Sequence, residues 1–262
     1  MKKALLVGVS LVAMGVAPAS AADLPARAPV YTKAPVMAPM YNWSGFYGGL
    51  NAGGASSHNC WDITNDGFGP VPATGIGCHN ATGGLAGGQI GYRWQMTSWV
   101  FGLEAQGDWA SLKGSNTSTI GTFGGFPFSD QTRIDGIGLF TGQIGYAWNN
   151  VLWYGKAGAA VTHNTYSGIS QVTVGAFPAG FVFDQGKETR WGGAIGTGLE
   201  FGLGGGWSVA VEYDHLFMGN GSSVNFINFQ GGFDRANSIK QDVDMGTVRV
   251  NYTFGGPIVA KY

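Results

Sequence analysis

The sequence predicts an all-β protein, an eight-stranded antiparallel up-and-down transmembrane β-barrel. Three observations support this fold class. Apolar and polar residues alternate with a period of two from residue 43 onward, as in strands with one apolar and one polar face. Short and long connections alternate along the chain, as in an antiparallel meander. Aromatic residues cluster beside the short connections, as in the interfacial belts of membrane barrels.

The composition excludes several other classes of protein. The chain has 262 residues, of which 47 are glycine. This is 18% of the chain, whereas about 7% glycine is usual. Only 11% of the residues are charged and the net charge is −1, so a nucleic-acid partner is not expected. The mean hydropathy of +0.06 is too high for a disordered chain. The glycines also lack the three-residue period of collagen.

The amino terminus predicts export. Lys2 and Lys3 precede an apolar stretch at residues 4–17, and the small residues at 19–21 suit cleavage by a signal peptidase. We assign residues 1–21 to a signal peptide and residues 22–41 to a proline-rich periplasmic linker, because prolines at this density favour an extended chain. Residues 42–262 then form the barrel.

Eight segments carry the two-residue period. In the segment 99–111, for example, Trp99, Leu103 and Trp109 share one face, whereas Glu104 and Asp108 share the other. Tryptophan opens the strand after each of three short connections, and Gly-Gln-Ile-Gly-Tyr at 88–92 recurs at 142–146, which indicates a repeated hairpin. The predicted strands are 43–53, 83–95, 99–111, 133–148, 151–166, 189–203, 207–218 and 241–254, with long connections at 54–82, 112–132, 167–188 and 219–240.

The apolar face is expected to point outward, into a bacterial outer membrane. Charged residues are few and fall mainly on the other face or in the connections, whereas a soluble barrel needs charge on its outside. We predict a periplasmic aromatic girdle of Trp94, Trp99, Trp148, Trp153, Phe201 and Trp207.

The inward face collects charged residues, which we expect to meet across the lumen because eight strands leave room only for side chains. Two interpretations of this lumen remain open: a plug of ion pairs and hydrogen bonds, or the wall of a narrow pore. The predicted polar cluster is Arg93, Glu104, Asp108, Asp135, Lys156, Glu200, Glu212 and Arg249.

Two cysteines, Cys60 and Cys78, fall in the first long connection. An exported chain meets an oxidising compartment, so we predict a disulfide. The alternative is a zinc site in which His58 and His79 join the two thiolates, although the spacing is unusual for zinc. We predict no cofactor.

Several segments resemble a known family. They are Ala-Asp-Leu-Pro at 22–25, Trp-Ser-Gly-Phe-Tyr-Gly-Gly at 43–49, the Gly-Gln-Ile-Gly-Tyr strand ends, and Val-Arg-Val-Asn-Tyr-Thr-Phe-Gly-Gly-Pro at 248–257. They are similar to the alphaproteobacterial 25/31-kilodalton outer-membrane antigen family of Brucella and rhizobia. The resemblance implies an opacity-like, eight-stranded barrel of the porin family and no catalytic motif. Many outer-membrane proteins end on the Phe of the last strand, so the signal for the barrel-assembly machinery is expected in Tyr252 and Phe254 or in the terminal Tyr262.

The expected function is a structural and surface role in the envelope: membrane integrity, and contact with outer-membrane lipids, lipopolysaccharide or host molecules. Passive diffusion of small solutes is the alternative. A lipid-modifying enzyme is a distant third and would need a partner for one of four histidines, His58, His79, His163 and His215. Two roles remain open for the cations expected near the outer rim: binding the phosphates of lipopolysaccharide, or ordinary solvation of the surface. These cations are Lys113, Arg133, Lys187, Arg190, Arg235 and Lys240.

Overall fold

Nine antiparallel strands make up the fold of the described residues. The computed structural model describes residues 41–123, 126–220 and 223–254, and this part of the chain contains no helix that could cross a membrane. The strands are β1 (Gly45–Asn65), β2 (Pro70–Met96), β3 (Trp99–Phe123), β4 (Phe126–Trp148), β5 (Val151–Ser170), β6 (Val182–Gly204), β7 (Trp207–Asn220), β8 (Val224–Asn228) and β9 (Phe233–Phe254).

Eight long strands close the barrel. Each strand pairs with the next along the chain from β1 to β7, β7 then pairs with β9, and β9 pairs back onto β1. The short β8 lies in the connection between β7 and β9, where it pairs with both β6 and β9. The predicted antiparallel barrel is therefore confirmed, and β8 is an addition that the sequence did not indicate.

The long connections are shorter than predicted because the strands continue through them. β1 and β2 stay paired from Gly45 opposite Arg93 to Asn65 opposite Pro70, so most of 54–82 is strand. The turn between them is closed by Asp66, whose carboxylate accepts hydrogen bonds from the backbone N–H groups of Phe68 and Gly69. The outward faces of these extensions are polar because they lie in water above the membrane. In the sequence, a strand with a polar outward face has the composition of a loop, although its backbone hydrogen bonds to the neighbouring strand continue.

Tight turns join the strands at the periplasmic end. Thr97 and Asn149 have φ angles of 58° and 59°, in the left-handed region that two-residue hairpin turns require. At the third turn the same requirement is met by Gly205 and Gly206, with φ angles of 61° and 86°. The short connections are thus confirmed as hairpin turns.

Inward-facing glycines make room for large side chains in the narrow interior. A Cβ atom at Gly91 would lie 2.6 Å from the phenol ring of Tyr47, and one at Gly198 would lie 2.5 Å from that of Tyr154. Both tyrosines are therefore able to lie flat against the barrel wall. This packing places their hydroxyl groups among the charged residues of the lumen.

Candidate functional site: the lumen and the outer wall

A tryptophan lies in the periplasmic end of the lumen. Trp43 precedes β1, is 1% exposed, and belongs to a buried apolar cluster with Val100, Leu152 and Tyr154. Its backbone N–H donates a hydrogen bond of 2.9 Å to the side chain of Gln95 at the end of β2. From the sequence, Trp43 was predicted only to be the first residue of a strand. Its inward orientation was not predicted, because it depends on how the chain enters the barrel.

Above this tryptophan, Arg93 and Glu200 form a buried ion pair. A guanidinium nitrogen of Arg93 lies 2.8 Å from a carboxylate oxygen of Glu200, and both side chains are at most 1% exposed. The guanidinium also lies 4.2 Å from the ring centroid of Tyr47, a cation–π arrangement. Ser208 and Asn251 donate hydrogen bonds to the other oxygen of Glu200. The carboxylate is thus held by partners from three other strands.

A second buried network centres on Arg249. Its guanidinium donates to Glu104 at 2.6 Å and to Glu212, so one arginine of β9 joins carboxylates of β3 and β7. Lys156 of β5 lies 2.6 Å from Glu212 and 3.2 Å from Asp214. All five side chains are fully buried within the ion pairs. The hydroxyls of the two wall tyrosines add hydrogen bonds to the carboxylates of Glu104 and Glu212.

An apolar layer crosses the lumen beyond the ion pairs. Every one of the eight long strands contributes a buried side chain to it. Polar groups are scarce in such a layer, so an ion would lose its hydration there without compensation. Its members are Ala55, Ala81, Leu85, Leu112, Ile134, Ile137, Leu139, Ala160, Ala194, Leu216, Met218, Val243 and Met245.

Further layers close the extracellular half. Gln241 exchanges hydrogen bonds with Asn164 at 3.2 and 3.1 Å, and its amide also donates to Ser57. Beyond them lies a second apolar cluster, in which the ring of Trp61 packs against Tyr166 at 5.3 Å and Phe226 at 5.5 Å between centroids. The interior thus alternates polar and apolar layers along its length.

The structure brings most of the predicted lumen residues together and corrects one. Arg93, Glu104, Lys156, Glu200, Glu212 and Arg249 form the two ion-pair networks, and Asp108 is buried beside Gln106, which donates a hydrogen bond of 2.8 Å to it. The expectation for Asp135 was wrong. Its side chain is 37% exposed and pairs with Arg133 at 2.7 Å on the outer surface. A register shift between Ile134 and Gly136 changes the facing of this stretch, so strict alternation fails there.

Asp214 and Tyr154 are among the lumen residues that the predicted cluster did not include. Both point into the lumen like a predicted residue on the same strand, since Asp214 is two residues from Glu212 and Tyr154 is two residues from Lys156. The two-residue period was therefore sufficient to predict the inward orientation of both residues.

The outer wall carries an apolar belt with aromatic residues at both edges. The six predicted girdle residues, Trp94, Trp99, Trp148, Trp153, Phe201 and Trp207, are 42–54% exposed at the periplasmic ends of their strands. A second group lies ten residues or so further along the strands, matching the ~9–11 residues that a membrane strand needs. We call it the outer girdle; it comprises Trp109, Phe140, Trp191 and Phe217.

The two cysteines form the predicted disulfide. Cys60 and Cys78 are directly opposite on β1 and β2, and they face outward on the extracellular extension of the barrel. His58 lies beside them, with Nε2 3.4 Å from Cys60 Sγ. The zinc alternative needs His79 as well, but His79 faces inward and contacts Asn116 and Thr132 instead. The four expected zinc ligands are therefore not assembled at one point.

The remaining two histidines lie on the outer wall. His163 contacts the hydroxyl of Thr189 at 3.2 Å. His215 Nδ1 lies 2.7 Å from the carboxylate of Asp244, which also accepts a hydrogen bond of 2.5 Å from Tyr213. Burial lowers the pKa of His79, so its inward-facing ring favours the neutral form.

Two of the six expected rim cations do not reach the outer surface. Arg190 is buried and donates to Glu188 and to the backbone carbonyl of Ile239. Arg235 is also buried, and it binds the carboxylates of Asp130 at 2.8 Å and Asp184 at 2.6 Å inside the extracellular end. Burial there raises the pKa of Asp130 to about 6, although Arg235 opposes the shift.

The predicted assembly signal is only partly within the described residues. Tyr252 and Phe254 end β9, and their rings contact each other at 4.9 Å between centroids. Tyr262, the signal peptide and residues 22–40 of the linker lie outside the described residues.

The closed antiparallel barrel, its apolar belt and its polar interior define an integral outer-membrane β-barrel protein. The chain belongs to the family of the outer membrane protein beta-barrel domain, whose model matches residues 9–254. A 31 kDa outer-membrane immunogenic protein of Brucella melitensis is 27% identical over 264 residues, covering 97% of this chain and 100% of the relative. A 22 kDa outer membrane protein of Rhizobium leguminosarum is 27% identical over 79% of each chain.

Among solved structures, the chain is similar to the outer membrane protein OprG from Pseudomonas aeruginosa. The TM-score is 0.45 at 13% identity, over 81% of this chain and 97% of that chain. The resemblance to the outer-membrane antigens of Brucella and rhizobia that the sequence motifs suggested is confirmed by the relatives.

Proposed function

We propose that the protein has a structural and surface role in the outer membrane, with a lumen that does not conduct solutes. One observation carries the proposal: the apolar layer to which all eight long strands contribute. A water-filled pore would leave its wall accessible to water, whereas Leu112, Ile134, Leu139, Leu216 and Val243 are 0% exposed. The charged layer below is equally dry, since Arg249 and Glu200 are also 0% exposed.

The outer surface supports the second half of the proposal, contact with envelope lipids and host molecules. The strands extend well above the outer girdle, so a large extracellular wall is available. At its far end three aromatic rings cluster, with Phe177 and Phe229 5.1 Å apart and Phe181 in contact with both. Exposed aromatic clusters in water are typical of interaction surfaces. The role proposed for this wall is binding rather than catalysis.

Single-channel recording tests the closed lumen against the porin alternative. The mature protein is refolded, its folded state is verified by the heat-dependent shift in gel mobility, and current is recorded in a planar bilayer. We expect no stable current steps from the wild type or from the Glu104→Gln variant. Steps whose ion selectivity changes in the Glu104→Gln variant would establish a conducting lumen and reject the proposal.

The enzyme alternative has one observation in its favour, the contact of His215 with Asp244 on the outer wall. It is tested by incubating the folded protein with outer-membrane lipids and analysing the products by mass spectrometry. We expect no new lipid product. A product that disappears in the His215→Gln variant would replace the binding role by a catalytic one.

A further inference from the structure

The outward-facing cations form a row across neighbouring strands. Lys113 of β3 is directly opposite Arg133 of β4, Arg133 is opposite Thr165 of β5, and Thr165 is opposite Lys187 of β6. Thr82 of β2 extends the row on the other side of Lys113. We call these five residues the basic row. Register therefore places three cations and two hydroxyl groups side by side on one half of the barrel wall.

The row has more positive charge than the protein itself neutralises. Lys113 and Arg133 face each other on adjacent strands, an arrangement of like charges that destabilises a sheet unless an anion lies between them. Arg133 pairs with Asp135, but no described residue forms an ion pair with Lys113 or Lys187. Glu188, the nearest acidic residue in sequence to Lys187, is engaged by the buried Arg190.

The opposite half of the wall has the other sign. Asp242 and Asp244 both face outward on β9, and they adjoin β1 and β7 rather than the basic row. Three of the four exposed Lys and Arg side chains among the described residues lie on β3, β4 and β6, and the fourth, Lys240, lies on β9 near these aspartates. A solvated surface without a ligand has no need of such segregation, since mixed charges serve solubility better.

The position of the row relative to the membrane fits a headgroup. Trp109 and Trp191 belong to the outer girdle, which marks the upper edge of the apolar belt. Lys113 and Lys187 each lie four residues further out on the same face of the same strand, about 13 Å along the strand. The cations are thus above the hydrocarbon, at the depth of lipid headgroups.

We propose that the basic row binds the phosphate groups of an outer-leaflet glycolipid. Lys113 and Arg133 are close enough to share one phosphate, because adjacent strands are about 4.8 Å apart. Lys187 is two strands from Arg133, about 10 Å away, and contacts a second phosphate. Arginine supplies paired donors, lysine a point charge, and the threonine hydroxyls further hydrogen bonds. The inference rests on the proposed surface role, for which it names the ligand and the face.

Titration of the folded protein with lipid A tests the proposal. The protein is held in neutral detergent micelles, and its affinity for bisphosphorylated and for dephosphorylated lipid A is measured by microscale thermophoresis. We expect tight, salt-sensitive binding only with the phosphates present. Each of Lys113→Gln and Lys187→Gln should weaken binding about tenfold, as expected for loss of one charge-assisted contact.

Two variants serve as controls for charge and folding. Lys240→Gln removes one exposed cation from β9, outside the basic row, and should leave the affinity unchanged. The Lys113→Arg/Lys187→Arg double variant keeps the charge and should retain binding. The proposal is overturned if dephosphorylated lipid A binds equally well, or if Lys240→Gln weakens binding as much as Lys113→Gln. Because the titration does not depend on conductance, its failure and the failure of the closed lumen are separate results.

Discussion

Replacement of Arg249 by glutamine should destabilise the barrel severely, because this residue neutralises carboxylates from two other strands. The guanidinium lies 2.6 Å from Glu104 and also contacts Glu212, and all three side chains are 0% exposed in these pairs. Without Arg249, Lys156 is the only cation among the described residues that still contacts Glu104, Glu212 and Asp214. Breaking a buried ion pair from one side typically costs about 3–5 kcal/mol.

The free energy of unfolding measures this cost directly. The protein is refolded in lipid vesicles and unfolded with guanidinium chloride, with tryptophan fluorescence as the readout. We expect Arg249→Gln to lower the midpoint by an amount equivalent to about 3–5 kcal/mol with the slope unchanged. The matched control is Arg133→Gln, the same substitution in an exposed pair with Asp135, where about 0–1 kcal/mol is expected.

A double-mutant cycle separates the ion pair from other effects of the substitution. The Glu104→Gln/Arg249→Gln variant removes both partners, so its loss should be smaller than the sum of the two single losses. The network does not stabilise the barrel as argued if the free energy of unfolding of Arg249→Gln is within about 0.5 kcal/mol of the wild-type value. The same conclusion follows if the losses of the two single variants simply add in the double variant.

Three further predictions concern the belt, the extracellular end and the disulfide. Leu50→Arg, at a lipid-facing position that is 73% exposed, should cost about 2–4 kcal/mol in the same unfolding assay. Ser115→Arg, at an exposed position on β3 six residues beyond Trp109 of the outer girdle, should be near neutral, and equal losses would show that the belt is misplaced. The pKa of Asp130 is raised to about 6, so the folded state holds its proton more tightly and loses stability as pH rises through 6. The melting temperature of the wild type relative to Asp130→Asn should therefore fall between pH 5 and pH 7.5, and a constant difference would contradict this. Reduction of Cys60–Cys78 should increase protease cleavage near the β1–β2 turn without altering the heat-dependent gel shift, because the bond joins strands that are already paired; loss of the gel shift would mean that the disulfide holds the barrel itself.

Much of the lumen was predictable because inward and outward residues alternate along a strand. Glu104 and Arg249 were assigned to the interior by this rule alone, and they meet there at 2.6 Å. The rule failed at Asp135, where a register shift moves the side chain to the outer surface. A single bulge leaves no clear mark in a sequence, since its only effect is to offset the period by one residue.

The apolar layer and the length of the strands were not predicted. Leu139 and Leu216 point into the lumen, as the charged residues do. In the sequence, however, an inward-facing leucine breaks the alternation of polar and apolar residues, so it does not indicate an apolar layer. The extracellular extensions were taken for loops because their outward faces are polar. In both cases the local pattern depends on what surrounds the strand, and that environment changes from lipid to water along its length.

The sequence by itself determined the membrane barrel, its polarity and the pairing of its two cysteines, because these follow from a two-residue period, the placement of aromatic residues and the number of cysteines. Only the tertiary structure decided which lumen residues form ion pairs, that a dry layer separates them from the extracellular end, and that Lys113, Arg133 and Lys187 are aligned. The physical reason is register. Neighbours across strands are set by the stagger that closes the barrel, and that stagger is a property of all eight strands together rather than of any one segment.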